Sequence, residues 1–451
     1  MNKSENIENG VVTSAPQEQS KRWVRPFFTI WIGQALSLVG SQVGGFALVW
    51  WLTKESGGSA TVLAGMTLIA LLPQVFLGPF VGALVDRLNR RRVMIVADSL
   101  IALFSAGLAV LAWSNVLEIW HVYVIMFVRA LGGTFHYAAM QASTSLMVPK
   151  SQLARVGGMN QTLQGVMNII TPPLGALLLE LIPLHAIMGL DVVTAAFAVG
   201  PLLFIAIPQP RREAAPVAAG APSPVITLLR DVGGGLAYIW QWTGLFIVLL
   251  MATVLNMTVN PGFTLMPILV NKHFLAGALE LGWMNSAWGL GVVAGGLTLS
   301  VWGGFKRKVD TSIFGLFGLG LGVILVGIAP QHGFWLAWAG MLLAGFMNPI
   351  VNAPFMAILQ SAVAPELQGR VFTAVSSMAG LASPLGMAIA GPVADWAGVQ
   401  VWFLVGGVVS VLMGGTMRLI PAVMRLEDDA NEREKQNGET AHQLSVSGLA
   451  E

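Results

Sequence analysis

Twelve long apolar runs, separated by short polar turns, make up most of this chain: 27–52, 61–85, 93–113, 119–141, 158–182, 186–207, 243–268, 281–302, 310–329, 334–357, 372–396 and 399–421. Each is close to the roughly 20 residues a helix needs to cross a bilayer. Hydrocarbon offers no water to satisfy an open backbone, so runs of this kind span as helices. Only 10% of residues are charged and mean hydropathy is +0.72, against about 25% charged in soluble domains. The expected fold is an all-α polytopic membrane protein, whose runs are numbered here as helices 1–12.

Several function classes are excluded at once. The chain has no cysteine, so disulfides, thiolate metal sites and a cysteine nucleophile cannot exist. No phosphate loop of the G-x-x-x-x-G-K-[ST] type and no H-E-x-x-H zinc pattern occurs, which argues against ATP hydrolysis and zinc chemistry. GLGVVAGG (289–296) loosely resembles a dinucleotide loop, but it lies inside helix 8, where close helix packing is the expectation. With no soluble domain to hold a catalytic constellation, the chain does not read as an enzyme, and no cofactor or metal is expected. A net charge of +2 points to no nucleic-acid partner. The polar N-terminus lacks the apolar core and cleavage site of a signal peptide, so helix 1 is expected to stay in place.

Lysine and arginine are retained on the cytoplasmic side of membrane helices. With the N-terminus inside, all 24 basic residues fall in cytoplasmic segments except Lys54 and Lys272, outside, and Arg129, within helix 4. Both termini are therefore expected inside the cell.

The polar stretch PQPRREAAPVAAGAPSP (208–224) divides the helices six and six, and its Pro/Ala content suits a solvated linker. The apolar residues of 225–242 recur at roughly helical spacing, as in an amphipathic helix on the inner membrane surface. The expected organisation is an N-tail (1–24), a six-helix half (25–207), the linker (208–242), a second half (243–421) and a disordered C-tail (422–451). A single shift places RRRV (90–93) on KRKV (306–309) and HYAAM (136–140) on NAPFM (352–356). With one residue of slippage, SLMVPKSQLARV (145–156) faces SAVAPELQGRV (361–371). Two repeated six-helix halves form a transporter design, with the substrate site near the midplane between them.

These residues carry a family resemblance. GALVDRLNRRRVM resembles the signature of the major facilitator superfamily between helices 2 and 3, through Gly82, Leu84, Asp86, Arg87, Arg90 and Arg91. Asn89 replaces the second glycine of that pattern, a mild departure if the turn is left-handed, which Asn tolerates. In helix 4, Arg129 and Gly133 resemble the Arg-x-x-x-Gly motif of drug:proton antiporters. In helix 5, TPPLGA is a worn form of the antiporter Gly-Pro-x-x-Gly-Gly motif, keeping Pro172 and Gly175. WIGQALSLVGS, GPFVGALVDR, FHYAAMQAS and GGFKRK resemble the macrolide-efflux branch. The resemblance implies two pseudo-symmetric halves of six helices and alternating access.

Arg129 lies near the middle of helix 4. A lone arginine at that depth costs at least about 2.5–3.5 kcal/mol, so it should face the protein interior and have a partner. It either pins neighbouring helices through their backbone carbonyls or, as the resemblance implies, takes part in proton coupling. In that role a fixed positive charge keeps a nearby carboxylate ionised and is released when the acid takes up a proton. Asp98 in helix 3, Asp191 in helix 6 and Glu180 in helix 5 are the candidate acids, ranked in that order; Asp395 near the end of helix 11 ranks lower. Each is alternatively a carboxylate reaching interfacial water.

Neutral polar groups lie within helices: Gln34, His136, Gln164, Asn168, Asn256, Asn260, Asn348 and Asn352. Interhelical hydrogen bonds, worth on average about 0.6 kcal/mol, explain any one of them. As a set they are candidates to dot an apolar substrate cavity. The second copy of the basic turn keeps Lys306, Arg307 and Lys308 but has Trp302 and Gly303 where the first has Asp86 and Arg87. Charge anchoring explains what both copies share, so Asp86 and Arg87 are expected to latch across to the start of helix 11, near Arg370, when the inner side is closed.

The sequence reads as a monomeric secondary transporter in a bacterial-type cell membrane, exporting amphiphilic drugs in exchange for protons. The rival readings are export of an endogenous metabolite such as a siderophore, an uncoupled facilitator, and a non-transporting sensor or scaffold.

Overall fold

The computed structural model describes residues 23–209, 233–234, 237–363 and 365–432, and among them no strand occurs. The first half comprises α1 (Val24–Glu55), α2 (Ala60–Leu72, a widened π turn at Pro73–Leu77, then Gly78–Arg87), α3 (Arg90–Trp113), α4 (Ile119–Met147), α5 (Leu153–Leu181) and α6 (Leu184–Phe204). The second comprises α7 (Thr243–Ile268, extended by a π turn at Leu269–His273), α8 (Ala278–Trp302), α9 (Lys308–Ile328), α10 (Phe334–Ala362), α11 (Pro365–Ala397) and α12 (Val399–Leu419). All twelve apolar runs are thus helical. Ten are long and apolar enough to cross a membrane; α8 and α11 are long but more polar. Glu280, Asn285 and Ser286 dilute α8, and Glu366, Gln368, Arg370 and Asp395 dilute α11.

Local chemistry sets several boundaries. Pro73, which has no N–H to donate, stands at the first position of the π turn that interrupts α2. The α3 N-cap is Asn89, whose side chain accepts from the Arg92 N–H at 3.2 Å. Its φ of −73° is extended, so the left-handed turn expected for this position does not form, and asparagine serves there as a cap. Gly398, at φ +91°, makes the sharp turn from α11 to α12 that a Cβ would strain.

Within the first half α1 packs on α6, and α3 on both α4 and α6; within the second, α10 packs on α8 and α9, and α9 on α12. The halves meet along two seams, α5 against α8 and α2 against α11. Both need small residues. A Cβ on Gly282 would sit 2.9 Å from the Pro173 Cα, and one on Gly391 would sit 2.9 Å from the Thr61 Cα. These contacts lie at the end of the bundle opposite the basic turns.

The expected N-tail to residue 22, most of the linker with its amphipathic segment, and residues from 433 onward fall outside the described residues. The expectation of a disordered chain from 422 needs correction. Residues 421–432 are helical but for a turn at Arg425, and Val423, Leu426 and Ala430 are buried. Their spacing makes an apolar stripe, which packs with Ile239, Trp242 and Leu245 at the foot of α7. The mixed charge of this segment hid that stripe.

Candidate functional site

Two polar layers are stacked inside the first half, in register on three helices. The upper layer centres on Arg129 of α4. Its guanidinium pairs with Asp191 of α6 at 2.5 Å, donates to the Ser105 hydroxyl of α3 at 2.8 Å and reaches the Ser41 carbonyl of α1 at 3.0 Å. Asp191 also accepts from the hydroxyls of Ser41 (2.9 Å) and Ser105 (2.8 Å). Asp191 is 1% exposed. Two buried charges in a low-dielectric interior persist only when paired and hydrogen-bonded on their remaining sites, and this layer meets both conditions.

The lower layer lies seven residues away on each helix, at Gln34 of α1, Asp98 of α3 and His136 of α4. Seven residues are two turns, about 10.5 Å along a helix axis. Gln34 donates to Asp98 at 3.0 Å, and the His136 Nε2 stands 3.6 Å from the other Asp98 oxygen.

Of the candidate acids, Asp191 is therefore the one brought to Arg129, and Asp98 belongs to the second layer. Glu180 is exposed near the far end of α5 and joins neither. Asp395 spans the two halves: it accepts from the backbone N–H groups of Ala60 and Thr61 at 2.6 and 3.0 Å, and from the Ser59 hydroxyl at 3.2 Å.

A cavity of about 730 Å³ lies between the halves. Its walls run from Phe46, Asn285 and Trp288 at mid-depth to Val248, Val309, Ile358, Met417 and Leu426 at the basic end. Asn168, Asn256, Asn260, Asn348 and Asn352 line it, as expected for a polar set in an apolar pocket. Gln34, His136 and Gln164 do not, contrary to expectation: the first two are turned inward to Asp98, and Gln164 is exposed on α5 away from the cavity wall. Residues not singled out from sequence complete the polar lining, namely Gln42, Thr171, Asn285 and Ser312. Asn285 had a readable signal, as an amide inside an apolar run; Gln42 shares that signal. No Asp, Glu, Lys, Arg or His lines the cavity among the described residues.

The antiporter-motif residues of α5 serve the seam and the cavity wall. The Pro172 carbonyl lies 3.1 Å from where a Gly282 Cβ would be, and a Cβ on Gly175 would meet the Phe46 ring at 3.0 Å. At the basic turn, the Arg91 guanidinium donates to the carbonyls of Leu202 and Leu203, closing the end of α6. Gly82 and Arg87 are exposed, and Arg90 is buried. The side chains of Asp86 and Arg370 fall outside the described residues, so the expected latch does too. In the second copy, the Lys308 N–H donates to Glu427 at 2.8 Å and Arg307 pairs with Asp428 at 3.5 Å; Lys306 is exposed.

The chain matches the family profile of the Major Facilitator Superfamily over residues 30–274 and 261–449. It is 31% identical over 410 residues to Macrolide efflux protein A of Streptococcus pyogenes, covering 91% of this chain and 99% of that protein. It is 27% identical over 415 residues to the multidrug efflux pump Tap of Mycobacterium bovis, covering 89% and 95%. Among solved structures, nucleoside transporter NupG superposes with a TM-score of 0.63 at 14% identity, covering 87% of this chain and 98% of that one. A D-xylose-proton symporter superposes with 0.61 at 13%, covering 88% and 98%. The profile match across both halves, the relatives aligned end to end and the shared fold leave one conclusion: this multi-pass membrane protein belongs to the major facilitator superfamily, a family of transporters and not of enzymes.

Proposed function

We propose that this chain exports amphiphilic drugs of the macrolide or multidrug class in exchange for protons, by alternating access in a bacterial cell membrane. The observation that carries the reading is a division of labour between the halves. Among the described residues the cavity lining is uncharged and dotted with amides, whereas the buried ion pair Arg129–Asp191 stands apart from it in the first half. A cavity of several hundred Å³ with apolar walls and a few polar groups suits one drug-sized guest. The macrolide and multidrug efflux relatives support the same substrate class.

The basic turns mark the cytoplasmic end, so the cavity opens to the cytoplasm and the seams close the outer side. A proton taken up by Asp191 neutralises its carboxylate and releases Arg129 to its remaining partners, Ser105 and the Ser41 carbonyl. That changes the bonding among α1, α3, α4 and α6 together, which biases the inward–outward balance. The chain works as a monomer, with both termini inside.

The test is purified protein in liposomes carrying an imposed pH gradient, supplied with a macrolide. Substrate flux accompanied by stoichiometric proton movement supports the proposal. Flux without proton movement would reduce the protein to a facilitator, and no flux for any drug in a panel would overturn drug export.

A further inference from the structure

The lower polar layer is left unused by exchange at Asp191 alone. We propose that Asp98 and His136 form a second proton-binding site, through which a proton arriving at Asp191 passes to the cytoplasmic end. This rests on the proton-coupled reading above.

Three observations carry it. The layers are in register, since Ser41, Ser105 and Arg129 each have a counterpart seven residues away at Gln34, Asp98 and His136, on the cytoplasmic side. Exposure is graded in the same direction: the side chains of Arg129 and Asp191 are 10% and 2% exposed, while that of His136 reaches 21%. The bonding is incomplete where a proton would sit. Gln34 occupies Asp98 Oδ2, while the His136 Nε2 is buried 3.6 Å from Oδ1 without a hydrogen-bond partner among the described residues. A buried polar atom left this way is costly in a purely structural contact, and a proton shared between Oδ1 and Nε2 satisfies both groups.

The repeat makes the same point by contrast. The shift that aligns the halves sets His136 opposite Asn352, which lines the substrate cavity. It sets Arg129 opposite Gly345, which packs against Trp288. Among the described residues the second half has neither layer.

In the transfer the Asp98 Oδ1–H bond breaks as an N–H bond forms at His136 Nε2. The ring then swings away from Asp98 and the same Nε2 proton passes to cytoplasmic water, which leaves the neutral imidazole in its starting Nδ1–H tautomer. One proton enters and one leaves. The charged groups on the surrounding helices are Arg129 and Asp191 one layer above, Arg90, Arg91 and Arg92 at the start of α3, Asp86 and Arg87 at the end of α2, and Arg25, Lys54 and Glu55 at the two ends of α1, whose Gln34 and Ser41 face the layers.

The experiment uses the full chain in liposomes, with erythromycin as probe, measuring pH-gradient-driven transport, proton movement and erythromycin binding by tryptophan quenching. Asp98→Asn and His136→Gln should each lower gradient-driven transport by about tenfold or more. Binding should stay within about twofold, because neither residue reaches the cavity. Asp98→Glu should restore coupled transport. If the wild type couples protons and both variants couple as well as it does, the second site is overturned while the reading of Asp191 stands. If the variants lose binding and transport in parallel, or Asp98→Glu fails as Asp98→Asn does, the layer is structural and the inference is overturned. If the wild type moves no protons, the coupling proposal itself falls, and this one with it.

Discussion

Asp395, in the second half, accepts a hydrogen bond at 2.6 Å from the backbone N–H of Ala60, the first residue of α2 in the first half. The carboxylate thus occupies the positive end of a helix it does not belong to, bridging the seam at the end of the bundle opposite the basic turns. Anions at a helix N-terminus are worth about 0.3–1 kcal/mol when exposed, and this one is solvent-accessible. Asp395→Ala should therefore raise the outward-open population by about two- to fivefold. Spin labels at Glu55→Cys and Trp396→Cys, in a chain with no native cysteine, would report it as growth of the longer distance; an unchanged distribution would show that the bridge holds nothing shut.

The Arg129–Asp191 pair should be indispensable to coupling. Removing one partner leaves a buried charge short of its counterion. Arg129→Ala and Asp191→Asn should each reduce pH-gradient-driven efflux by about a hundredfold while the protein still reaches the membrane. Quantified efflux from cells, normalised to membrane content by immunoblot, checks this; normal transport in either variant would remove the pair from the mechanism.

The cavity amides should set affinity for oxygen-rich substrates. The Asn260 amide donates to Asn256 at 3.0 Å, and Asn352 donates to the Asn348 carbonyl at 2.9 Å, one turn apart on α7 and α10. Each therefore keeps further hydrogen-bonding capacity for a guest. A net hydrogen bond contributes about 0.5–1.5 kcal/mol, so Asn260→Leu or Asn352→Leu should raise KM by about two- to tenfold with little change in maximal rate. Concentration-dependent transport separates the two parameters.

The seam glycines should tolerate no bulk. With the Gly282 Cβ position 2.9 Å from the Pro173 Cα, Gly282→Leu cannot fit the outer-closed arrangement. The variant should shift toward the outward-open form and lose transport by about tenfold or more, while Gly165→Ala, whose Cβ would meet nothing within 4 Å, should transport normally. The spin-label distances above would distinguish a conformational block from misfolding.

The short helix after α12 should contribute stability. Leu426 is 1% exposed within the cluster at the foot of α7. Truncating a buried leucine costs about 2–5 kcal/mol, so Leu426→Ala should lower the thermal midpoint of the detergent-solubilised protein by several degrees; an unchanged midpoint would mean that the segment is not docked.

What could be read without coordinates was whatever the bilayer imposes along the chain. Span length and helical state follow from local composition, as does the repeat that sets Arg90 to Arg92 against Lys306 to Lys308, because hydrocarbon punishes each exposed polar group one residue at a time. The same logic marks Arg129 as a residue in need of a partner. It cannot name that partner, because Asp98 and Asp191 are the same residue type and the choice depends on how α3 and α6 are rotated against α4. That rotation is set by packing among side chains distant in sequence. Only the tertiary structure therefore separates the two polar layers, withdraws Gln34 and His136 from the cavity, and brings Asp395 across to Ala60.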